Sequence, residues 1–360
     1  MKQIRDVQID LGNLHVDSHG DIWPQTWADD DAIYTSANDT LGCPPGLYGW
    51  DPADFRYGRN LIVAKVWGSP PRHRVLTVNP MEQFLKRAKC HVVNGEELGA
   101  WKSCGILFLG GRLYLFVYQS VYHNLLKRFP WWSAHRACIV VSEDYGASWS
   151  RWEDSAYFPD RFGGPSFVQF GKSGQHACDS FVYAVSPAEQ RWTNNDSYLL
   201  GRVPRERIVE PGAWTYYCGV ESGEPRWDGD VERAAPIVES RRNLSCAPEV
   251  IYHPGLDSYL LAGFSVPRLP DIGDDYKVAL EAHGYTRWHL FQAERLWGPW
   301  TRVYEGSGTG PADYCPRMPC KWLDQDNCSA IVMAAGNVFD RFGAGERYGI
   351  VTARMRWKVL

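Results

Sequence analysis

The spacing of two aspartates, Asp21 and Asp39, indicates that they could act together in catalysis. Asp21 starts one predicted strand and Asp39 ends the next, with a turn at 29–31 nearly midway between them. Antiparallel strands joined by such a turn return their far ends to one edge of a sheet, so both carboxyl groups are expected at the same rim. Two carboxyl groups at one opening are what glycoside hydrolysis needs: one protonates the leaving oxygen, and the other attacks or activates water. The alternative is that both aspartates cap turns.

The residues around this pair fit a sugar site. Trp23 and Trp27 offer flat apolar faces to sugar rings, and Gly20 allows a ligand close to the backbone. His19 is a candidate to orient the acid or to contact a sugar, and Asn38 is a candidate substrate ligand. The alternative for the two tryptophans is that they fill the core between sheets.

Other candidates stand where further repeats should begin their inner strands. Glu249 and Asp179 are possible third acids, because a nearby like charge would raise the pKa of a proton donor. Burial as a strand-end residue explains either of them equally well. The remaining candidate substrate ligands are Trp101, Lys102, Tyr314 and Arg317. Lys102 and Arg317 fit salt bridges between sheets as well as contacts with hydroxyl groups.

The elements that would position these residues are predicted to be short strands. The 360 residues include 17 Trp, 19 Tyr and 34 Gly, a composition typical of strands joined by turns. Strand, turn and strand recur at intervals of roughly 60 to 75 residues, which predicts an all-β, single-domain, five-bladed β-propeller over residues 1–360. Each blade should hold about four antiparallel strands around a central channel. The approximate blades are 17–90, 97–158, 165–240, 244–306 and 313–360. A short surface helix is predicted over Pro80–Lys89.

The segment Ser142–Trp149, SEDYGASW, fits the S-x-D-x-G-x-x-W pattern of the Asp-box found in sialidase-like propellers. Its aspartate should accept backbone N–H bonds in the turn, its glycine should be left-handed, and its tryptophan should pack under the loop. Asp144 is therefore predicted to be structural and not catalytic.

Composition excludes several function classes. A formal net charge of −4 argues against a nucleic-acid partner, and no stretch approaches the ~20 apolar residues of a spanning helix. No nucleotide-binding or metal-ligand spacing is present, so neither a cofactor nor a metal is expected.

The ten cysteines form no C-x-x-C pair and are expected to be mainly free core thiols. The first residues lack the apolar run of a signal peptide, which predicts a cytoplasmic chain, or a secreted or periplasmic one if a signal has been removed.

The stretch from Gly20 to Asp39 reads GDxWPxTWADDDxxYTxxxD and resembles the opening of a bacterial five-bladed propeller family that includes endo-D-arabinanase glycoside hydrolases. Further matches to that family lie at 198–208, 214–219, 248–256 and 297–300. The resemblance implies retaining hydrolysis of furanosidic linkages, with a carbohydrate substrate, by the two aspartates that match Asp21 and Asp39. It does not indicate which is the nucleophile and which the acid/base, nor the oligomeric state.

Two departures bear on the substrate. Asn38-Asp39 stands where the family has Gly-Asp, and a Pro-, Gly- and aromatic-rich insert at 42–57 should form a lid or subsite wall. Two other functions stay open on the sequence. A propeller polysaccharide lyase would centre His, Tyr and cationic residues on the mouth. A non-catalytic glycan-binding propeller would hold the two aspartates apart or in salt bridges.

Overall fold

The computed structural model describes residues 2–15, 18–42, 59–84, 91–93, 96–123, 131–189, 191, 193, 195–266, 286–307, 314–336 and 349–360. Within these ranges the chain is all-β, as expected, with short 3-10 helices between strands and no α-helix. The insert at 43–57, including most of the predicted lid, lies outside the described residues.

The described strands, in chain order, are β1 (Ile4–His15), β2 (His19–Trp27), β3 (Ile33–Gly42), β4 (Arg59–Trp67), β5 (Arg74–Asn79), β6 (His91–Val93), β7 (Glu96–Leu109), β8 (Arg112–His123), β9 (Trp131–Ser142), β10 (Ser166–Gln169), β11 (Phe181–Pro187), β12 (Asn195–Pro204), β13 (Thr215–Glu221), β14 (Glu224–Asp228), β15 (Pro236–Leu244), β16 (Glu249–His253), β17 (Ser258–Ser265), β18 (Arg287–Ala293), β19 (Thr301–Ser307), β20 (Tyr314–Arg317), β21 (Ser329–Gly336) and β22 (Gly349–Val359). The 3-10 helices are Glu82–Phe84, Trp152–Asp154, Asp160–Phe162, Lys172–Gly174, Arg205–Arg207, Pro211–Ala213, Val231–Arg233 and Cys320–Trp322.

The strands form antiparallel meanders that follow one another along the chain. Three sheets have four strands each, in the orders β2-β3-β4-β5, β6-β7-β8-β9 and β1-β22-β21-β20. A ten-stranded sheet contains two further meanders, β10 to β14 and β16 to β19, with β15 paired to β12. These two meanders meet through one parallel pairing between β10 and β16, at Val168 and Val250. Neighbouring meanders also touch through other strands, since β2 contacts β7, β7 contacts β10 and β20 contacts β2.

The N-terminal strand closes the C-terminal sheet. β1 pairs antiparallel with β22, from Ile4 opposite Val359 to His15 opposite Val351. The first predicted repeat starts at residue 17, and no strand is predicted for this segment. Its partner lies more than 300 residues away, and local periodicity carries no information about such a pairing.

The Asp-box forms as predicted. Asp144 Oδ1 accepts hydrogen bonds from the Ser148 backbone N–H at 2.8 Å and from the Ser142 hydroxyl at 2.8 Å. Gly146 is left-handed, with φ 89°, and the Trp149 indole N–H donates to its carbonyl at 3.0 Å. Since the Asp144 carboxylate is used within its own turn, its role is structural.

The predicted helix over Pro80–Lys89 is a single 3-10 turn at Glu82–Phe84 in the described part of this segment, and residues 85–90 lie outside it. A part-buried hydrogen bond helps to hold this turn: the Asn79 side chain accepts from the Met81 backbone N–H at 2.7 Å. The turn is also held by burial of Phe84, which packs against Trp101 at 5.5 Å between ring centroids. One apolar anchor and three residues are too little for a regular helix.

Eight of the cysteines lie in the described ranges, and each is a free thiol; Cys104, Cys138, Cys315 and Cys320 are buried. No helix in the described part of the chain is long and apolar enough to cross a membrane.

Gly105 of β7 lies close to the backbone at the start of β10. A Cβ atom at this position would lie 2.8 Å from both the Pro165 carbonyl oxygen and the Ser166 Cα. We therefore expect Gly105→Ala to lower the free energy of unfolding by about 1–3 kcal/mol, since backbone must shift to admit the methyl group. Urea denaturation measures this change. Gly229→Ala is the control, because its Cβ would have no atom within 4 Å; equal stability of the two variants would contradict the close packing.

Candidate functional site

The candidate site lies where β2 begins and β3 ends. Asp21 is opposite Asn38, whereas His19 is opposite Gly42, so β3 carries extra residues in a bulge between these pairs. Asp39 lies in this bulge with a left-handed φ of 47°. In a regular strand Asp39 would face away from the side of Asn38. A bulge redirects side chains, which allows Asp39 to face the same side of the sheet as Asp21.

Asp21 is mostly buried, with 7% of its surface exposed. Its Oδ2 accepts a hydrogen bond from the hydroxyl of Tyr314, the first residue of β20. Tyr314 is fully buried and packs against Phe264 at 5.5 Å between ring centroids. The last sheet thus supplies a rigid neutral donor to the carboxyl group of the first.

Asp39 has a different environment. Its carboxylate forms an ion pair with the Lys102 ammonium of β7. The Asp39 side chain is 37% exposed and that of Lys102 is 11% exposed. Such a pair stabilises the charged form of the carboxylate. Lys102 therefore contacts an acid, one of the two roles that the sequence left open for it.

Tyr118 on β8 is a further residue near the site that was not among the residues predicted from the sequence. It pairs directly with Lys102 across the sheet, and opposed residues share a face. Burial raises the pKa of Tyr118, and the Cys246 and Cys104 thiols and then Asp21 and Asp39 add to this effect. Tyr118 therefore interacts electrostatically with both aspartates. Nothing in its local sequence, LFVYQS, distinguishes it from the other aromatic residues of the strands.

His19 is 1% exposed and lies near Asp39. Burial lowers the pKa of His19 to about 4, although the Asp39 carboxylate acts in the opposite direction. The imidazole is therefore neutral at neutral pH. Of its two proposed roles, the burial disfavours direct contact with a sugar and fits a support for the aspartates.

Two expected sugar ligands are corrected. Trp23 is 0% exposed and its indole N–H donates to the Gly20 carbonyl at 3.0 Å, so a sugar ring cannot stack on it. Asn38 is 1% exposed and bonds to Ser103, donating to its carbonyl at 3.0 Å and accepting from its backbone N–H at 2.8 Å. Both side chains hold the framework, because the adjoining sheets cover them completely.

Glu249 and Arg317 lie deeper in the centre. Glu249 accepts from the Gln25 amide at 2.9 Å and from the Met318 backbone N–H, and burial raises its pKa while Arg317 opposes the rise. Arg317 is 1% exposed and donates to the carbonyls of Ile22 at 2.9 Å and Ala247 at 2.7 Å. This pair ties several sheets together below the two aspartates, so neither residue is placed to meet a sugar.

The other three candidates have different surroundings. Trp27 ends β2, about 20 Å along the strand from Asp21, and donates to Asp31 at 3.0 Å. Asp179 is exposed and accepts from the Tyr183 hydroxyl at 2.6 Å. The first strand of its meander is β10, and Asp179 precedes β11, which runs antiparallel, so it lies at the opposite end. Trp101 is 8% exposed and packs on Phe84.

No cluster of three or more His, Cys, Asp or Glu side chains that could hold a metal ion is found in the described ranges. The arrangement offers one enclosed carboxyl group, one ion-paired and more exposed carboxylate, and phenol groups beside them. Such a set can transfer a proton and stabilise a positive charge on a neutral substrate.

The fold is similar to solved structures. A protein described as a "putative hydrolase" from Bacteroides ovatus ATCC 8483 matches with 13% identity over 95% of this chain and 86% of its own, at a TM-score of 0.53. Xylan beta-1,4-xylosidase from Bacillus halodurans C-125 matches with 12% identity over 95% of this chain and 53% of its own, at 0.49. The endo-arabinase from Bacteroides thetaiotaomicron VPI-5482 matches with 12% identity over 94% of this chain and 95% of its own, at 0.46.

At these identities the similarity to the Bacteroides ovatus protein shows a shared fold alone. No protein-family model matches the chain, and no curated protein sequence matches it.

The burial of His19 has a consequence for stability. In the unfolded chain its pKa is near 6.5, so between pH 6.5 and 4 the unfolded state binds more protons than the folded state. The free energy of unfolding should therefore fall as the pH is lowered through this window, and His19→Gln should make the fall shallower. His73, His253 and His289 have the same shift, so a slope will remain.

Urea denaturation at a series of pH values measures this slope. His135→Gln is the control, because that ring is partly exposed and bonds to Asp160 at 2.9 Å at the surface. An unchanged slope in His19→Gln would contradict the enclosure of His19.

Proposed function

We propose that this protein is a glycoside hydrolase in which Asp21 and Asp39 are the two catalytic carboxyl groups. The observation that supports the proposal is the placement of the two aspartates on paired strands, at the bulge of β3, together with the electrostatic interaction of Tyr118 with both. Glycosidic cleavage requires one carboxyl group that gives a proton and a second that is ionised. The enclosed Asp21 and the ion-paired Asp39 have the contrasting environments that this division of roles needs.

The proposed architecture is a single-domain, five-bladed β-propeller. The meanders starting at β2, β6, β10, β16 and β20 count as five blades if the parallel pairing of β10 with β16 is a contact between two inner strands. β1 would then be the outer strand of the last blade. Closing a ring with strands from both chain ends protects the sheet edges.

The proposed substrate is a furanose-containing polysaccharide or oligosaccharide similar to D-arabinan, cleaved with retention. Support comes from the motif at residues 20–39 and from its two aspartates, which lie on the paired strands β2 and β3. The fold similarity to the Bacteroides ovatus protein is compatible with this proposal but does not bear on the sugar.

One observation favours a second candidate, a non-catalytic glycan-binding protein. The ion pair of Asp39 with Lys102 is what such a protein would show. A lyase is less favoured, because the Lys102 charge is matched by Asp39 and Arg317 is enclosed.

Asp21→Asn and Asp39→Asn should each reduce hydrolysis by at least about 100-fold, since each removes a proton-transfer or nucleophilic group. The measurement is the release of reducing ends from D-arabinan, L-arabinan and xylan, with circular dichroism to check the fold. Asp179→Asn is the matched control and should keep full activity, because Asp179 lies in another sheet, at the end opposite to the start of β10. Products that absorb in the near ultraviolet would identify a lyase instead. Binding without cleavage by the wild type would identify a glycan-binding protein.

The stereochemistry is a separate expectation. Proton NMR during hydrolysis should show the product anomer first released with the configuration of the substrate, because the proposed mechanism has two displacements. The opposite anomer would leave the two carboxyl groups in place but make Asp39 or Asp21 a base that activates water.

A further inference from the structure

We propose that Cys246 and Cys315 form a redox-active dithiol, which a small disulfide reagent oxidises to a disulfide bridge between two sheets near Asp21. Cys246 precedes β16, and Cys315 is the second residue of β20. Formation of the bridge depends on the two thiols and does not require the glycosidase function proposed above. An effect of the bridge on hydrolysis does rest on that function.

A buried hydrogen bond holds the two cysteine-bearing segments side by side. The Arg317 guanidinium donates at 2.7 Å to the carbonyl of Ala247, the residue after Cys246. Arg317 is 1% exposed and Ala247 is 4% exposed, so water does not compete for this bond. Cys246 also packs against the apolar cluster that contains both Ala247 and Cys315. The start of β20 and the residues before β16 are therefore fixed next to each other.

The two thiols interact directly. Burial raises the pKa of the Cys315 thiol, and a hydrogen bond with the Cys246 thiol adds to this rise. A disulfide requires two cysteines that already lie close together, with Cβ atoms roughly 3.5–4.5 Å apart. A third thiol near Cys246, that of Cys104, donates to the Phe116 carbonyl at 3.8 Å. Cys315 is therefore the expected partner of Cys246.

The different exposure of the two thiols determines the order of the steps. Cys246 is half-buried, whereas Cys315 is 1% exposed, so a dissolved disulfide reaches Cys246 first. The Cys246 sulfur attacks one sulfur of the reagent, which forms a mixed disulfide and releases one reagent thiol. The Cys315 sulfur then attacks the Cys246 sulfur, and the second reagent thiol leaves. The protein gives up two electrons and two protons, which the two released thiols carry.

The bridge affects the candidate site through β20. Cys315 follows Tyr314, whose hydroxyl donates to the Asp21 carboxyl group, and Cys315 itself interacts electrostatically with Asp21. Bonded sulfurs lie only about 2.05 Å apart, so closing the bridge draws Cys315 towards Cys246 and moves the residue before it. A displacement of about 1 Å can lower the rate of an enzyme by about 100-fold. We therefore expect oxidation to reduce hydrolysis by about 10- to 100-fold, and reduction to restore it.

The test is treatment of the folded protein with 2-hydroxyethyl disulfide, alkylation of the remaining thiols, and mass spectrometry of the unreduced peptides. The wild type should give a cross-link between Cys246 and Cys315 that excess dithiothreitol removes. Cys315→Ser should stop at the mixed disulfide on Cys246, and Cys246→Ser should form no bridge. Cys178→Ser is the matched control, because this exposed cysteine lies in the segment before β11 and its loss should leave the bridge intact.

Urea denaturation gives a second measurement that needs no substrate. The bridge closes a loop of about 70 residues, which restricts the unfolded chain and stabilises the folded state relative to it. The oxidised wild type and oxidised Cys178→Ser should therefore unfold at a higher urea concentration than their reduced forms. Cys246→Ser should show no such difference.

Three results would overturn the bridge: a cross-link from Cys246 to Cys104, a mixed disulfide on Cys246 that the wild type never resolves, or an unmodified Cys246. Equal hydrolysis by the fully bridged and the reduced wild type would overturn the effect on the site. A reduced wild type that forms the bridge but cleaves no glycan would refute the glycosidase function and leave the bridge established.

Discussion

Hydrogen bonds between Asn38 and Ser103 are the constraint on which the site depends. Asn38 Oδ1 accepts from the Ser103 backbone N–H and hydroxyl, and Nδ2 donates to the Ser103 carbonyl. Both residues are 1% exposed, so a broken bond would leave buried groups unsatisfied at a cost of about 1–3 kcal/mol each. The bonds fix β3 against β7, and the adjacent residues, Asp39 and Lys102, are thereby placed as an ion pair.

Further hydrogen bonds lie towards the centre, where they join β2 to β16 and β20. Tyr314 bonds to Asp21, Arg317 bonds to the Ile22 carbonyl, and Gln25 bonds to Glu249. These contacts join sheets that are far apart in sequence, so the carboxyl pair is held by several rigid elements and not by one hairpin alone. Such support keeps catalytic groups in position and limits the entry of water.

The hairpin itself could be predicted from the sequence, because its turn and alternating strands are local features. The Asp-box was predicted for the same reason, since the hydrogen bonds of Asp144 stay within its own turn. The predictions for Trp23 and Asn38 were wrong because burial depends on the neighbouring sheets. The prediction for Asp179 was wrong because the neighbouring sheets also decide which strand of a meander is the inner one. Asp179 precedes the second strand of its meander, and the short first strand β10 has too few residues to be recognised from periodicity.

The sequence by itself determined the all-β class and the presence of two aspartates at one end of a hairpin, because strand periodicity and turn residues act over a few positions. Only the tertiary structure decided that Asp21 is enclosed by Tyr314, that Asp39 meets Lys102, and that Tyr118 interacts electrostatically with both aspartates. These pairings join residues 63 to 293 positions apart. Proton affinity depends on burial and on nearby charges, which exist only after the sheets have packed together.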